Sequence, residues 1–301
     1  LTALFRRLRT WIRTLRSNTP LRASRNARHH YNVDHRIYRL FLDSDMQYSC
    51  AYFTHPDATL EEAQEAKKRH IAAKLFLNEP NLKVLDIGSG WGGLGLHLAR
   101  THAARVLGIN LSDEQVKIAQ ERAKAEALPC EFQIQDYRAL DDTFDRIVSV
   151  EMFEHMANWR ALLTKARGWL KGDGRMFIHV FTHRNAPYRF DHTDSGDFIA
   201  QHFFTGGVMP SHGLIRQFPD LFAVEQEWTW NGGHYAKTAN DWLANMDRNA
   251  PRIAVLMRET YGDDAKLWTR RWRRFYLATA GLFGNDGGRT WAVSHYRLKP
   301  A

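Results

Sequence analysis

"KVLDIGSGWGG", residues 83–93, decides the fold. Residues 83–87 read as a short buried strand, and the glycines at 88, 90 and 92 form a loop that opens into a helix over 92–101. Glycine tolerates positive φ and lets the backbone approach a ligand with no Cβ in the way. A G-x-G-x-G loop between strand and helix therefore suits the floor of a nucleotide-like ligand, with a tight ligand-free turn as the plainer reading. The spacing departs from the dinucleotide pattern G-x-G-x-x-G.

Strand and helix patterns alternate outward from this stretch. Strands are expected over 104–110, 130–135, 144–150 and 174–181, with helices over 112–127 and 158–170 between them. Ser112 is placed to cap the 112–127 helix, with Gln115 completing a capping box. After a loose stretch at about 182–221, strands return over 222–230 and 289–298, around helices at about 236–248, 250–260 and 264–281. This is an α/β chain, expected to form a mostly parallel seven-stranded sheet under a helical cap at the strands' carboxyl edge, where open sheets bind ligands. Three regions follow: a basic N-terminal helix (1–28), a helical lead-in or cap (29–78), and a core (79–301) whose 182–221 insertion covers the substrate.

Composition narrows the partners. The chain has 301 residues, 42 Lys+Arg against 33 Asp+Glu, and a net charge of +9, which favours an acidic partner. No apolar run approaches the roughly 20 residues that span a bilayer. Cys50 and Cys130 form no CxxC, and no signal peptide is visible, so a reduced cytoplasmic setting is expected. In "LTALFRRLRTWIRTLRS" (1–17), Leu1, Leu4, Phe5, Leu8, Trp11, Ile12 and Leu15 share one helical face, with arginines filling much of the rest. Such a helix suits the inner face of an anionic membrane, and equally a helix docked on the protein body. No zinc finger or RNP-like motif points to nucleic acid.

Several further stretches carry a family resemblance: "HYNVDHRIYRLFLDSDMQYSCAYF" (30–53), "GINLSDEQ" (108–115), "VEMFEHM" (150–156), "HFFTGGVMPS" (202–211) and "GGHYAKTANDWLANM" (232–246). With "VLDIGSGWGG" they resemble the cyclopropane-fatty-acid synthase and mycolic-acid methyltransferase family of class I methyltransferases dependent on S-adenosylmethionine (SAM). The C-terminal half is also similar to the coclaurine N-methyltransferase branch. The resemblance implies a Rossmann-like fold and a SAM site built from Tyr48, Ser49, Gly88, Gly90, Asn110, Gln115, Asp136 and Tyr137. Asp86 joins this set, chiefly as a holder of the loop's backbone. Asn110 stands where Thr is common, and Ser89 where many relatives have Cys.

Two chemistries follow from the resemblance. Cyclopropane synthases hold a bicarbonate ion with residues matching Cys50, Glu154, His179 and Tyr235; the ion removes a proton from a carbocation as the ring closes. Taken singly, Cys50, His179 and Tyr235 each also suit a packed core and Glu154 a solvated helix start, and Phe181 replaces an aliphatic residue near the histidine. The amine-methylating branch instead uses carboxylate and histidine side chains, here Glu151, Glu154 and His155. Glu151 and Glu154, three apart at the entry to a helix, are expected to face one cavity. The expected substrate is an unsaturated phospholipid acyl chain, with a small amine as the alternative. An anionic membrane surface and a second copy of the chain are the other expected partners, and no metal is expected.

Overall fold

A computed structural model describes residues 34–301, apart from 192, 195 and 205. The expected basic helix at 1–28 lies outside the described residues. The sheet has seven strands: β1 (Lys83–Ile87), β2 (Arg105–Asn110), β3 (Cys130–Ile134), β4 (Phe144–Val150), β5 (Leu170–His183), β8 (Phe222–Asn231) and β9 (Trp291–Pro300). Two short strands, β6 (Tyr188–Arg189) and β7 (Val208–Met209), pair separately within the 182–221 excursion. Across the main sheet the order is β3-β2-β1-β4-β5-β9-β8. β1 to β5 are mutually parallel, while β9 runs antiparallel between β5 and β8.

The helices are α1 (His35–Tyr38), α2 (Leu60–Leu75), α3 (Gly93–His102), α4 (Asp113–Ala125), α5 (Trp159–Trp169), α6 (Phe198–His202), α7 (Gly233–Arg248), α8 (Ala250–Tyr261) and α9 (Ala265–Gly284). β1 is apolar on both faces because both are covered. Val84, Val148 and Phe177 pack with Ile71, Leu75, Leu94 and Leu98 of α2 and α3. Leu85, Ile147 and Ile178 point the other way, onto Leu162, Leu163 and Ala166 of α5. A third cluster joins Ile37, Tyr38 and Phe41 to Trp242, Trp272 and Tyr276, so the lead-in and the C-terminal helices pack on each other.

β1 has β2 on one side and β4 on the other. Connections leave it in both directions, which opens a crevice at its carboxyl end. The glycine loop sits there with φ of +83° at Gly88, +53° at Gly90 and +81° at Gly92, conformations that strain any residue with a Cβ.

Two local expectations are revised. Ser112 accepts from Gln115 N at 3.4 Å, but the Gln115 side chain does not return to the cap; its Oε1 accepts from Asn110 Nδ2 at 2.7 Å. A reciprocal capping box occurs instead on α2, between Thr59 and Glu62. The segment after β4 is one tight turn, Phe153–His155, and Glu151 enters it at φ +47°.

Candidate active site

All nine residues expected at a cofactor site line one cavity at the carboxyl ends of β1, β2 and β3. Its floor is the glycine loop. Amides of Gly88 and Ser89 donate to Ile109 O at 2.9 and 3.2 Å, so β2 holds the loop. Asp86 does not: its buried carboxyl takes no hydrogen bond from the loop and lines the cavity, and burial pushes its pKa up to about 7. A Cβ at Gly90 would meet no protein atom and would stand in the cavity itself. Asn110 Nδ2 donates to Gly90 O at 3.3 Å as well as to Gln115, so this pair braces the loop while lining the cavity. Asp136 accepts from Arg138 N at 3.0 Å and closes the turn that presents Tyr137.

A second group lies against the cavity, centred on Glu151. Cys50 N donates to Glu151 Oε1 at 2.8 Å, His179 Nε2 meets the same oxygen at 3.2 Å, and Tyr235 OH donates to Oε2 at 2.6 Å. Three distant segments thus converge on one carboxylate, whose positive φ is strain of the kind stored at functional sites. Burial and the Glu151 charge push the Tyr235 phenol well up, so it remains a donor. Burial also raises the Cys50 thiol well above its ordinary range; what Cys50 contributes to Glu151 is its backbone N–H. His179 is fully buried and its pKa is lowered, which keeps its imidazole neutral.

Glu154 does not join this group through a hydrogen bond. It is 1% exposed, its Oε2 is buried without a partner, and burial together with Glu151's charge raises its pKa well above the carboxylate range. It is a neutral acid beside a second carboxyl group. Cys50, His179 and Tyr235, expected together with Glu154, hydrogen-bond Glu151 instead, which has a positive φ. His155 lines the cavity and stacks on Phe204 at 4.8 Å, its pKa lowered to about 4 by burial. Phe204 continues into a patch of rings with Phe181, Phe190, Phe283 and Tyr235.

Sequence reasoning missed the groups that hold this arrangement. Lys67, fully buried, donates to Ser49 Oγ at 2.6 Å, and burial lowers its pKa to about 8. Ala51 N donates to Thr238 Oγ1 at 3.0 Å and Phe53 N to His234 Nδ1 at 3.1 Å. The "YSCAYF" segment is therefore bolted to α2 and α7. A signal was present in "HYAKT": Thr238 stands four residues after His234 and three after Tyr235, spacings at which helical side chains are neighbours.

Comparison with known proteins agrees with this geometry. A family model described as mycolic acid cyclopropane synthetase matches residues 18–286. The chain belongs to the mycolic acid cyclopropane synthetase family. Among relatives of this family, a probable fatty acid methyltransferase of Pseudomonas putida is 39% identical over 259 residues, covering 83% of this chain and 63% of the relative. The cyclopropane-fatty-acyl-phospholipid synthase of Escherichia coli K12 is 36% identical, covering 88% of this chain and 65% of the synthase. This chain thus spans less than two thirds of either protein's length. The (S)-coclaurine N-methyltransferase of Thalictrum flavum subsp. glaucum is 30% identical, covering 89% of this chain and 77% of the relative. Among solved structures, coclaurine N-methyltransferase bound to N-methylheliamine and SAH is similar with a TM-score of 0.84 and 27% identity, covering 97% of this chain and 92% of that one. Mycolic acid cyclopropane synthase CmaA1 complexed with SAH and CTAB gives 0.80 and 27%, covering 92% and 98%. The fold is that of class I SAM methyltransferases.

The two cofactors named by the resemblance fare differently. SAM fits: the cavity has a loop kept bare by Gly90, a carboxyl at Asp86 facing it, and a buried Ser89 Oγ without a partner. Bicarbonate does not fit. Of its four expected holders, Cys50 (through its backbone N–H), His179 and Tyr235 already hydrogen-bond the Glu151 carboxyl group, so a free anion would meet a filled site.

Proposed function

We propose that this chain is a SAM-dependent methyltransferase acting on an unsaturated acyl chain of a membrane phospholipid, with Glu151 as the base. The observation that carries it is the Glu151 carboxylate, held by three donors beside a patch of aromatic rings. The relatives named for fatty acids and phospholipids support the substrate class.

Bound SAM supplies an activated methyl electrophile. Gly88, Gly90, Asp86, Tyr48 and Ser49 would hold it around the methionine portion, Asn110 and Gln115 would serve the ribose side, and Asp136 and Tyr137 the adenine. Methylation of an alkene leaves a cation, and the chain's own groups answer that charge. The rings of Phe181, Phe204 and Tyr235 offer their negative faces and exclude water. Glu151 takes up the departing proton, while Tyr235 and His179 fix its orientation. Loss of the proton from the new methyl closes a cyclopropane; loss from a neighbouring carbon leaves a methyl-branched alkene.

The amine reading stands second, favoured by the likeness to coclaurine N-methyltransferase over nearly the whole chain. There Glu151 would take the proton from a methylated ammonium. The arginine-rich segment 1–17 supports docking on an anionic membrane, and among the described residues no helix is long and apolar enough to cross one.

Cells expressing the chain and fed trideuteromethyl methionine separate the readings by mass spectrometry. An acyl chain that retains two deuteriums reports a ring, and one that retains three reports a branch. No label in any lipid, together with turnover on an amine panel by the purified protein, would replace the lipid reading with the amine one.

A further inference from the structure

Behind the proposed base, His179 begins a line of side chains whose further members the methyl-transfer reading leaves unused. His179 Nε2 meets Glu151 Oε1, and its Nδ1 lies 3.0 Å from His295 Nε2. His295 Nδ1 lies 2.6 Å from Lys74 Nζ. Both histidines are fully buried, and Lys74, largely buried, sits 4.9 Å from the ring centres of Trp228 and Trp230. α2 supplies the lysine, while His179 of β5 and His295 of β9 are register partners across the antiparallel pair.

With both imidazoles neutral, as their burial favours, donor and acceptor counting leaves two self-consistent polarities. An ammonium has donors and no acceptor, so a charged Lys74 makes His295 Nδ1 an acceptor. The His295 proton then sits on Nε2 and is donated to His179 Nδ1. The His179 proton sits on its own Nε2 and is donated to Glu151, which accepts it as a carboxylate. The opposite polarity needs a neutral lysine and a protonated Glu151, with one hydrogen moved along each of the three links. Any mixture sets two protons or two lone pairs against each other in a buried site.

We propose that Lys74 and His295 are positioning residues for Glu151: the lysine's charge fixes the tautomer of both histidines, so that His179 presents Nε2–H to Oε1 and keeps the carboxylate ionised and oriented. This rests on the reading of Glu151 as the base. Other charged or titratable groups facing the line include Lys67 toward His179, His70 toward His295, and Arg297, which donates to Lys74 O at 3.3 Å. Burial lowers the Lys74 pKa to about 8, so the forced polarity lapses in mildly alkaline solution.

The test begins with the unmodified full chain, its histidines labelled with nitrogen-15 and assigned against H179Q and H295Q. At about pH 6.5 both Nε2 atoms should carry the proton and both Nδ1 atoms should lack it. A proton on His295 Nδ1 overturns the proposal, whatever the substrate is and whether or not any Lys74 variant folds. In turnover, K74M should lose about tenfold to a hundredfold in kcat, with cofactor Kd within about twofold and the alkaline fall of kcat gone. K74R keeps the donor and should retain most of the rate. K74M with an unchanged kcat and pH profile overturns the kinetic part. An E151Q protein with full activity instead overturns the base reading, an outcome distinguished by the intact histidine tautomers.

Discussion

Tyr235 and Glu151 share a 2.6 Å hydrogen bond across 84 residues of sequence. The phenol donates to Oε2 while the Cys50 N–H and His179 engage Oε1, so each oxygen of the carboxylate has its own partner. Glu151→Gln keeps the shape and removes the base. Its kcat should fall by roughly 10²–10⁴, while calorimetric titration of the cofactor should change little. Tyr235→Phe should cost less, about tenfold. A Gln variant at full rate would remove Glu151 from the chemistry.

Removing the carboxylate altogether opens a different experiment. Glu151→Gly frees the Cys50 N–H, the His179 ring and the Tyr235 hydroxyl around an empty space, three donors suited to a small oxyanion. Added bicarbonate should restore at least about tenfold of the lost rate, and the wild-type rate should not respond to it. A wild-type enzyme that needs bicarbonate would show that Glu151 does not fill the anion site.

Asp86 ties stability to pH. Its folded-state pKa of about 7 lies above the ordinary value near 3.9, so between these limits the folded chain binds more protons than the unfolded chain. Stability without cofactor should therefore fall as pH rises from about 4 to about 7. Asp86→Asn should flatten that slope and raise the melting temperature near neutrality. It should also weaken SAM binding, because a positive cofactor favours the ionised carboxylate. Thermal melts of both proteins across this range, with calorimetry at its upper end, check both effects.

Phe132 lies against three glycines. A Cβ at Gly108 would stand 2.4 Å from Phe132 Cδ1 and 2.8 Å from Ser89 Cβ, and one at Gly92 would stand 2.8 Å from Phe132 Cζ. Gly108→Ala should destabilise the fold by about 1–3 kcal/mol through overpacking, read by chemical denaturation. Adding Phe132→Leu should recover part of that loss; a purely additive double variant would mean that the ring is not the obstacle.

Much of the sheet was legible because buried parallel strands are short apolar runs separated by amphipathic helices, a pattern local to each element. The nine cavity residues came from the family resemblance; Asp86, Gly88, Gly90, Asn110, Asp136 and Tyr137 stand at strand ends or in the glycine loop, whereas Tyr48 and Ser49 come from the lead-in and Gln115 from α4. The convergence of Cys50, His179 and Tyr235 on Glu151 was not legible because helical spacing was assumed for Glu151 and Glu154, whereas the positive φ at Glu151 breaks that spacing. His295 and Lys74 carried no local signal. Their alignment with His179 depends on which strand β9 joins and in what register, which no short window of sequence encodes.

β9 follows every other strand in sequence yet lies inside the sheet, between β5 and β8. During synthesis, which delivers the N-terminal side first, β1 to β5 can assemble while β5 still has an open edge. The glycine loop and the cavity floor therefore precede the His179–His295 pair. Competence to bind the cofactor should arise before competence to turn it over, and a chain interrupted before residue 291 would leave a sticky, unpaired strand for chaperones or proteases to find.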